Sequence, residues 1–378
     1  MPASPRHRSA AFLLYLLLDS LGAGAQGQSP VPRTRTYYIA ADPVTWDYAP
    51  GGRDEIAGRP YTDSAFFAKA PTRAVGTAYR KVLYREYTDS TFRTLKPRPE
   101  EWQHLGFLGP LIRAVVGDTI RVVFRNNGHR PYSVHPQGVA YDKNAEGATY
   151  NDGTSGGDAA NSGVPPGGTH VYLWPVPERA GPGPADGSSL LWVYRSDVEE
   201  LRDLNTGLFG VMIITARGMA RPDGSPRDVD REIVTAFAQV RENQSWLATA
   251  NLPPRDSLER EQPIGNPLES DAPEPWFVKF TINGFVRGGM PLPALTVHRG
   301  QRVRWYVVAS TNQFDFHAPH WHGNTVLVAG MRTDVLRVWW MQRVIANMVP
   351  DNVGTWLLHC HVSSHNAAGM AVRYRVVP

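Results

Sequence analysis

The chain alternates short runs of apolar and aromatic residues with clusters of glycine, proline, asparagine and aspartate. Nowhere does it sustain the three-to-four-residue spacing of a long amphipathic helix. Runs such as IRVVFRN (120–126), LLWVYRSD (190–197), EIVTAFAQV (232–240), VRWYVVA (303–309) and TWLLHCHV (355–362) are rich in β-branched and flat side chains. Such residues pack well on a pleated surface, and the flanking turn residues end the ladder, so each run predicts a strand. Many short strands without intervening helices predict an all-β protein built as antiparallel, Greek-key sandwiches.

The pattern occurs twice. Tyr84–Asp89 (YREYTD) and EIVTAFAQV each open a block. Gly117-Asp118-Thr119 then leads into IRVVFRN, and Gly300-Gln301-Arg302 into VRWYVVA. A related tetrapeptide follows in each block, His135-Pro136-Gln137-Gly138 and His320-Trp321-His322-Gly323, and later an aromatic-aliphatic strand. Repeats on this scale predict two copies of one domain type, over 34–218 and 229–378. Residues 151–168, 178–189 and 251–275 read as loop insertions.

Composition narrows the class. With 35 glycines and 32 prolines in 378 residues and 42% hydrophobic positions, the chain is turn-rich but carries a sizeable core, which excludes a coiled coil, a collagen and general disorder. The net charge is +4, yet the arginines are scattered without a basic stripe, so no nucleic-acid partner is expected. Cys360 is the only cysteine and rules out an intramolecular disulfide. Residues 1–25 read as a signal peptide: Arg6 and Arg8, the apolar run from Ala10 to Leu18, then Ala23-Gly24-Ala25. A secreted or periplasmic protein is expected. The apolar run is too short to span a bilayer, and no other run approaches that length.

Six of the twelve histidines lie in 317–322 and 359–365, together with the only cysteine. On a strand, alternate side chains face opposite ways. His359 and His361 therefore share a side with Cys360 opposite, and His320 and His322 share a face. His317, Cys360, His365 and Met370 supply two imidazoles, a thiolate and a weak thioether, the ligand set of a blue-copper site; zinc is the alternative for a Cys/His site. By contrast, His104, His129, His170 and His298 stand singly and read as satisfied polar residues. Asn243-Gln244-Ser245 fits a glycosylation sequon, and no nucleophile elbow supports hydrolase chemistry.

The segment HCHVSSHNAAGM (359–370) resembles the C-terminal motif of multicopper oxidases, closest to the ceruloplasmin and hephaestin branch with the A domains of coagulation factors five and eight as relatives. The resemblance extends through EYTDSTF, LGFLGPLIRAVVGD, YDKNAEGATYNDGTS and DLNTGLFG, and so covers most of the chain. It implies two cupredoxin-like sandwiches, copper as cofactor and, as in other two-domain members, a homotrimer. It further implies type 1 copper on His317, Cys360, His365 and Met370, type 2 copper on His320 and His135, and type 3 copper on His322, His359 and His361. Cys360, His359 and His361 would then carry electrons between the sites.

The chain departs from the family pattern in its first half. The matching positions read His135-Pro136-Gln137 and Arg195-Ser196-Asp197, so Gln137, Arg195 and Asp197 replace family ligands, and a guanidinium cannot coordinate a metal. The expected function is an exported copper oxidoreductase with an incomplete type 2/type 3 site. It would take electrons from a small reducing substrate or a donor protein, with dioxygen as a possible acceptor. The alternatives are a non-catalytic blue-copper electron carrier or copper binder, and an A-domain-like interaction module. Ferroxidase activity is weakly supported, because Ser364 stands where iron-oxidising relatives carry aspartate.

Overall fold

The computed structural model describes residues 32–60, 76–184, 186–252, 277–310 and 315–378. The signal-peptide segment 1–25 and nearly all of the insertion at 251–275 lie outside the described residues.

Strands dominate, as the apolar runs predict. In the N-terminal half, β1 (Thr34–Asp47), β2 (Ala78–Tyr87), β4 (Thr119–Asn126) and β6 (Thr169–Pro175) form one sheet in the order β2-β1-β4-β6. Facing it, β3 (Ile112–Val115), β5 (His135–Pro136), β7 (Ser189–Arg195) and β8 (Phe209–Thr215) run in the order β3-β8-β7-β5. The C-terminal half repeats the plan. One sheet combines β9 (Arg231–Arg241), β10 (Val278–Ile282), β12 (Val303–Ser310), β15 (Val326–Val328), β16 (Met331–Thr333) and β18 (Arg343–Met348) in the order β10-β9-β12-β18-β15-β16. The other combines β11 (Thr296–His298), β14 (Pro319–Trp321), β19 (Gly354–Cys360) and β20 (Ala371–Val377) in the order β11-β20-β19-β14.

The duplication holds at the level of register. β1 runs parallel to β4 as β9 runs parallel to β12, and β3 parallel to β8 as β11 runs parallel to β20. Two points correct the sequence reading. The opening strand of the first copy is Thr34–Asp47, because it alone makes the parallel pairing that β9 makes; Tyr84–Asp89 overlaps the end of the second strand. The sandwiches are also mixed rather than purely antiparallel, since non-local parallel pairing leaves no mark in the local pattern.

Side-chain alternation explains how the two sandwiches adhere. Along β12, Trp305, Val307 and Ala309 point into the C-terminal core. Tyr306 and Val308 point the other way, into a third apolar layer with Val234, Ala236 and Ala238 of β9 and Phe209, Val211 and Ile213 of β8. Strands buried on both faces read as continuous apolar runs, as EIVTAFAQV does. Among the described residues no helix is long and apolar enough to cross a membrane.

Candidate metal centre

Among the described residues, two groups of side chains able to hold a metal form in the C-terminal sandwich, and strand geometry separates them. β14 pairs antiparallel with β19, setting Pro319 opposite Cys360 and His320 opposite His359. Cys360 points inward and is fully buried, whereas the imidazoles of His359 and His361 share the opposite side, 5.6 Å apart between ring centroids.

On the inner side, Cys360 Sγ lies 3.9 Å from His317 Nδ1 and 3.6 Å from His365 Nδ1. All three side chains are buried, as is Met370. β13 (Phe316–His317), paired with β17 (Val338–Trp339), delivers His317, and the short helix α1 (Ser363–Ala367) delivers His365. Met370 returns to the cluster through its backbone: its N–H donates to the His365 carbonyl and its carbonyl accepts from the Cys360 N–H, both at 3.0 Å. Cys360 Sγ also accepts the Ala318 N–H at 3.3 Å. A buried sulfur with a backbone donor and two imidazoles, with the buried Met370 tied to Cys360 and His365 through its backbone, fits a soft redox metal, and copper suits this set better than zinc.

One partner was not foreseen. Asp315 Oδ2 lies 3.0 Å from His365 Nε2, so Nδ1 is left to face the sulfur, as outer carboxylates orient metal-binding histidines. Burial pulls the His365 pKa down, but the Asp315 and Cys360 contacts outweigh it and raise it to about 9. At His317, burial and the nearby His365 outweigh the attraction of Asp315 and lower the pKa to about 3. The signal in the sequence was a carboxylate two residues before a ligand on an extended segment, a spacing that shares a face.

On the outer side, His359 Nε2 lies 3.2 Å from His320 Nδ1 and 3.1 Å from His322 Nε2. His359 Nδ1 donates to the Cys360 carbonyl at 2.9 Å, which leaves Nε2 with its lone pair directed at the other rings. His361 is exposed, its ring 5.2 Å from that of His320. Burial, then neighbouring imidazoles, lower the His320 pKa; burial also dominates the lowering at His359.

The N-terminal sandwich has the same framework with different chemistry. β5 pairs with β7 so that His135 faces Arg195, the register that sets His320 against His359. Gly138 and Gly323, both with positive φ, each lie where a Cβ would strike a tryptophan, Trp192 and Trp356 respectively. Opposite His135, Arg195 thus stands in the strand position that His359 takes opposite His320. His135 Nδ1 faces the Glu146 carbonyl at 2.6 Å. The buried Arg195 sits 3.5 Å from Asp197 Oδ2 and, by Nε, 2.8 Å from Glu200 Oε1, though that N–H is poorly aligned. Gln137 Oε1 accepts a 2.7 Å bond from Arg343 of the C-terminal sandwich, whose guanidinium stacks on Trp192 at 4.3 Å. Arg195 is thus engaged with Asp197 and Glu200 and Gln137 with Arg343, and neither a guanidinium nor an amide held in this way fits a copper cluster. Elsewhere, His104 is fully buried with both nitrogens partnered, by the Glu101 carbonyl and the Val234 N–H, and His170 and His298 face backbone carbonyls.

Two family models described as multicopper oxidase match the chain, over residues 104–218 and 257–378. The chain belongs to the multicopper oxidase family. Copper is the metal of that family, in keeping with the soft Cys/His group. Mouse ferroxidase HEPHL1 is 39% identical over 352 residues, covering 91% of this chain and 29% of the relative. Rat hephaestin is 38% identical over 352 residues, covering 90% and 29%, and human ceruloplasmin 37% over 353 residues, covering 90% and 32%. The chain therefore spans about a third of the length of these relatives. Among solved structures, a multicopper oxidase superposes with a TM-score of 0.52 at 17% identity, covering 91% of this chain and 88% of that one. A copper nitrite reductase from Nitrosomonas europaea gives 0.55 at 15%, covering 91% and 94%. These likenesses establish the cupredoxin-type, two-sandwich fold of the family.

Proposed function

We propose that the chain is a copper oxidoreductase in which His317, Cys360, His365 and Met370 hold a type 1 copper that receives single electrons. The observation that carries this reading is the position of Cys360, with Sγ between two imidazoles on one face of β19 and the flanking His359 in the second cluster on the other. The peptide linkage from Cys360 to its histidine neighbours offers a short covalent route between the two groups. Bound copper supplies the one-electron redox couple; the protein fixes its geometry and tunes its potential. The Ala318 N–H stabilises negative charge on the sulfur, the carboxylate of Asp315 orients His365, and the surrounding core excludes water.

On this reading the domains are 34–218 and 229–378, and the protein is exported behind residues 1–25. A ring of three copies would set the His320–His361 face of one copy against the His135 face of the next. The relatives' names point to ferrous iron as a donor. Ser364 offers no carboxylate there, and Asp315 supplies the only one bonded to a described type 1 histidine. A second reading, a blue-copper electron carrier, is favoured by the ion-paired Arg195 and the hydrogen-bonded Gln137 at family ligand positions.

The test is to mix the copper-loaded chain anaerobically with ascorbate or ferrous iron and then admit air. Bleaching of the blue absorption followed by its return, with dioxygen consumed, supports the oxidoreductase. Bleaching that air fails to reverse favours the carrier, and no bleaching by any donor sinks both.

A further inference from the structure

Met370 lies between α1 and β20 and belongs to neither. A thioether is the weakest and longest contact of a blue-copper ligand set, and its distance tunes the reduction potential. So weak a contact cannot order its own loop, and the main chain around Met370 has to be fixed by the protein.

The bonds of Met370 itself, to the His365 carbonyl and the Cys360 N–H, fix one residue of that loop. The carbonyls on either side are held from elsewhere in the chain. Arg287 N–H donates to the Gly369 carbonyl at 2.7 Å, and Gly288 N–H to the Ala371 carbonyl at 2.8 Å. The Arg287 guanidinium donates through Nη2 to the Ala367 carbonyl at 2.9 Å. Two consecutive residues thus bond three alternate carbonyls that bracket Met370. The approach is close. Gly369 has a φ of 103°, and a Cβ there would stand 2.7 Å from Arg287 Cγ. Arg287 itself has a φ of 49°, a left-handed conformation that a residue with a side chain keeps only where its surroundings impose it.

Those surroundings come from the first half of the chain. Beyond β1, Arg53–Asp54 and Arg59–Pro60 pair as a short ribbon. Asp54 is buried, with Oδ2 2.9 Å from Arg287 Nη1, while its Oδ1 accepts the N–H groups of Ile56 and Ala57 at 3.0 and 2.8 Å. Glu55 N–H donates to the Arg287 carbonyl at 2.9 Å. The flat fork of a guanidinium meets a carboxylate and a carbonyl at once, in a fixed geometry that a lysine ammonium does not impose.

We propose that Arg287, anchored by Asp54, is a positioning residue for the type 1 site: it sets where Met370 stands and lets the N-terminal half of the chain tune the reduction potential. The proposal rests on the type 1 reading above.

The test compares the copper-loaded full-length chain with Arg287→Ala, Asp54→Asn, Met370→Leu and Arg373→Gln. Reduction potential, visible spectrum, copper(II) affinity and melting temperature are read for each. Arg373→Gln is the control, because it breaks the 2.9 Å pair of Arg373 with Glu55 and leaves the Ala367 and Gly369 carbonyls alone. Arg287→Ala should move the potential and the blue band in the same direction as Met370→Leu, and weaken copper(II) binding by about 10-fold or more. Asp54→Asn keeps the oxygen that caps the turn and should give a smaller shift of the same sign. Arg373→Gln should leave potential and spectrum unchanged. In the metal-free chain, the amides of residues 366–371 should exchange with deuterium faster in Arg287→Ala than in Arg373→Gln. If Arg287→Ala does not fold, Asp54→Asn and Arg287→Lys carry the comparison, both with shifts toward Met370→Leu. A lower melting temperature with unchanged potential and spectrum marks a purely structural role and overturns the proposal, as does an equal shift in Arg373→Gln. An unaltered chain that binds copper without blue absorption overturns the type 1 reading and the proposal with it.

Discussion

Lys81 of β2 and Glu242, just beyond β9, meet at 2.7 Å across the two sandwiches, and neither side chain is exposed to solvent. Lys81 Nζ also donates to the Asn205 carbonyl at 2.8 Å, and Tyr48 donates to Glu242 Oε1 at 2.5 Å. Glu242→Gln keeps the shape but removes the negative charge. The Lys81 ammonium is then left in the apolar interior with a carbonyl and no counter-ion. Breaking a buried pair from one side costs about 3–5 kcal/mol, a large part of the roughly 5–15 kcal/mol that holds a typical protein folded. At about 2–4 °C per kcal/mol, the melting temperature should fall by about 6–20 °C. Lys81→Met with Glu242→Leu removes both charges and should recover most of that loss, because the desolvation penalty disappears with them. Urea denaturation of the parent, Lys81→Met, Glu242→Leu and the double variant closes the cycle, with Glu242→Gln measured beside it. A Glu242→Gln loss under about 1 kcal/mol, or a double variant no more stable than the single, would refute the reasoning.

Lys279 lies in the same buried region, and burial lowers its pKa to about 8 despite the attraction of Glu242. Between about pH 8 and 10 the unfolded chain binds the proton that the folded chain has lost, so stability should rise with pH. Above that range it should fall, because burial raises the pKa of Tyr48 and Tyr79 and keeps them protonated while the unfolded chain ionises. A denaturation series that is flat from pH 8 to 10 contradicts this, and Lys279→Met should reduce the rise, burial of Lys81 contributing the remainder. Asp315→Asn removes the negative charge bonded to His365 and should raise the reduction potential of the loaded type 1 site by roughly tens of millivolts, because the oxidised, more positive metal loses that charge. An unchanged potential in a redox titration would count against the role of Asp315. Gln137→Ala deletes the acceptor for Arg343 and should cost about 1–2 kcal/mol in urea denaturation; no measurable loss would remove the hydrogen bond as a link between the sandwiches.

Much of the candidate site was legible because it depends on alternation alone. The three-residue run His359-Cys360-His361 on a strand fixes opposite faces for sulfur and imidazoles, and His320-Trp321-His322 does the same on the paired strand. The duplicated tetrapeptides suggested which strands would correspond, and His135 pairs with Arg195 as His320 pairs with His359. What stayed hidden was non-local. The parallel pairing of Thr34–Asp47 with Thr119–Asn126 leaves no periodic trace, so its opening role went to Tyr84–Asp89. Asp315 stands two residues before His317 in the sequence, but its bond to His365 appears only when its segment folds beside α1. Arg343 shows no link to Gln137 until the sandwiches meet. In each case the partner lies far along the chain, and chain-distant contacts are set by packing rather than by pattern.

The visible spectrum of the copper-loaded chain against that of Cys360→Ser decides whether Cys360 is the sulfur ligand of a type 1 copper. The unaltered chain should show an intense thiolate-to-copper absorption that the variant lacks entirely, while both remain folded by circular dichroism. A variant that stays blue, or an unaltered chain that binds copper without colour, would contradict the claim.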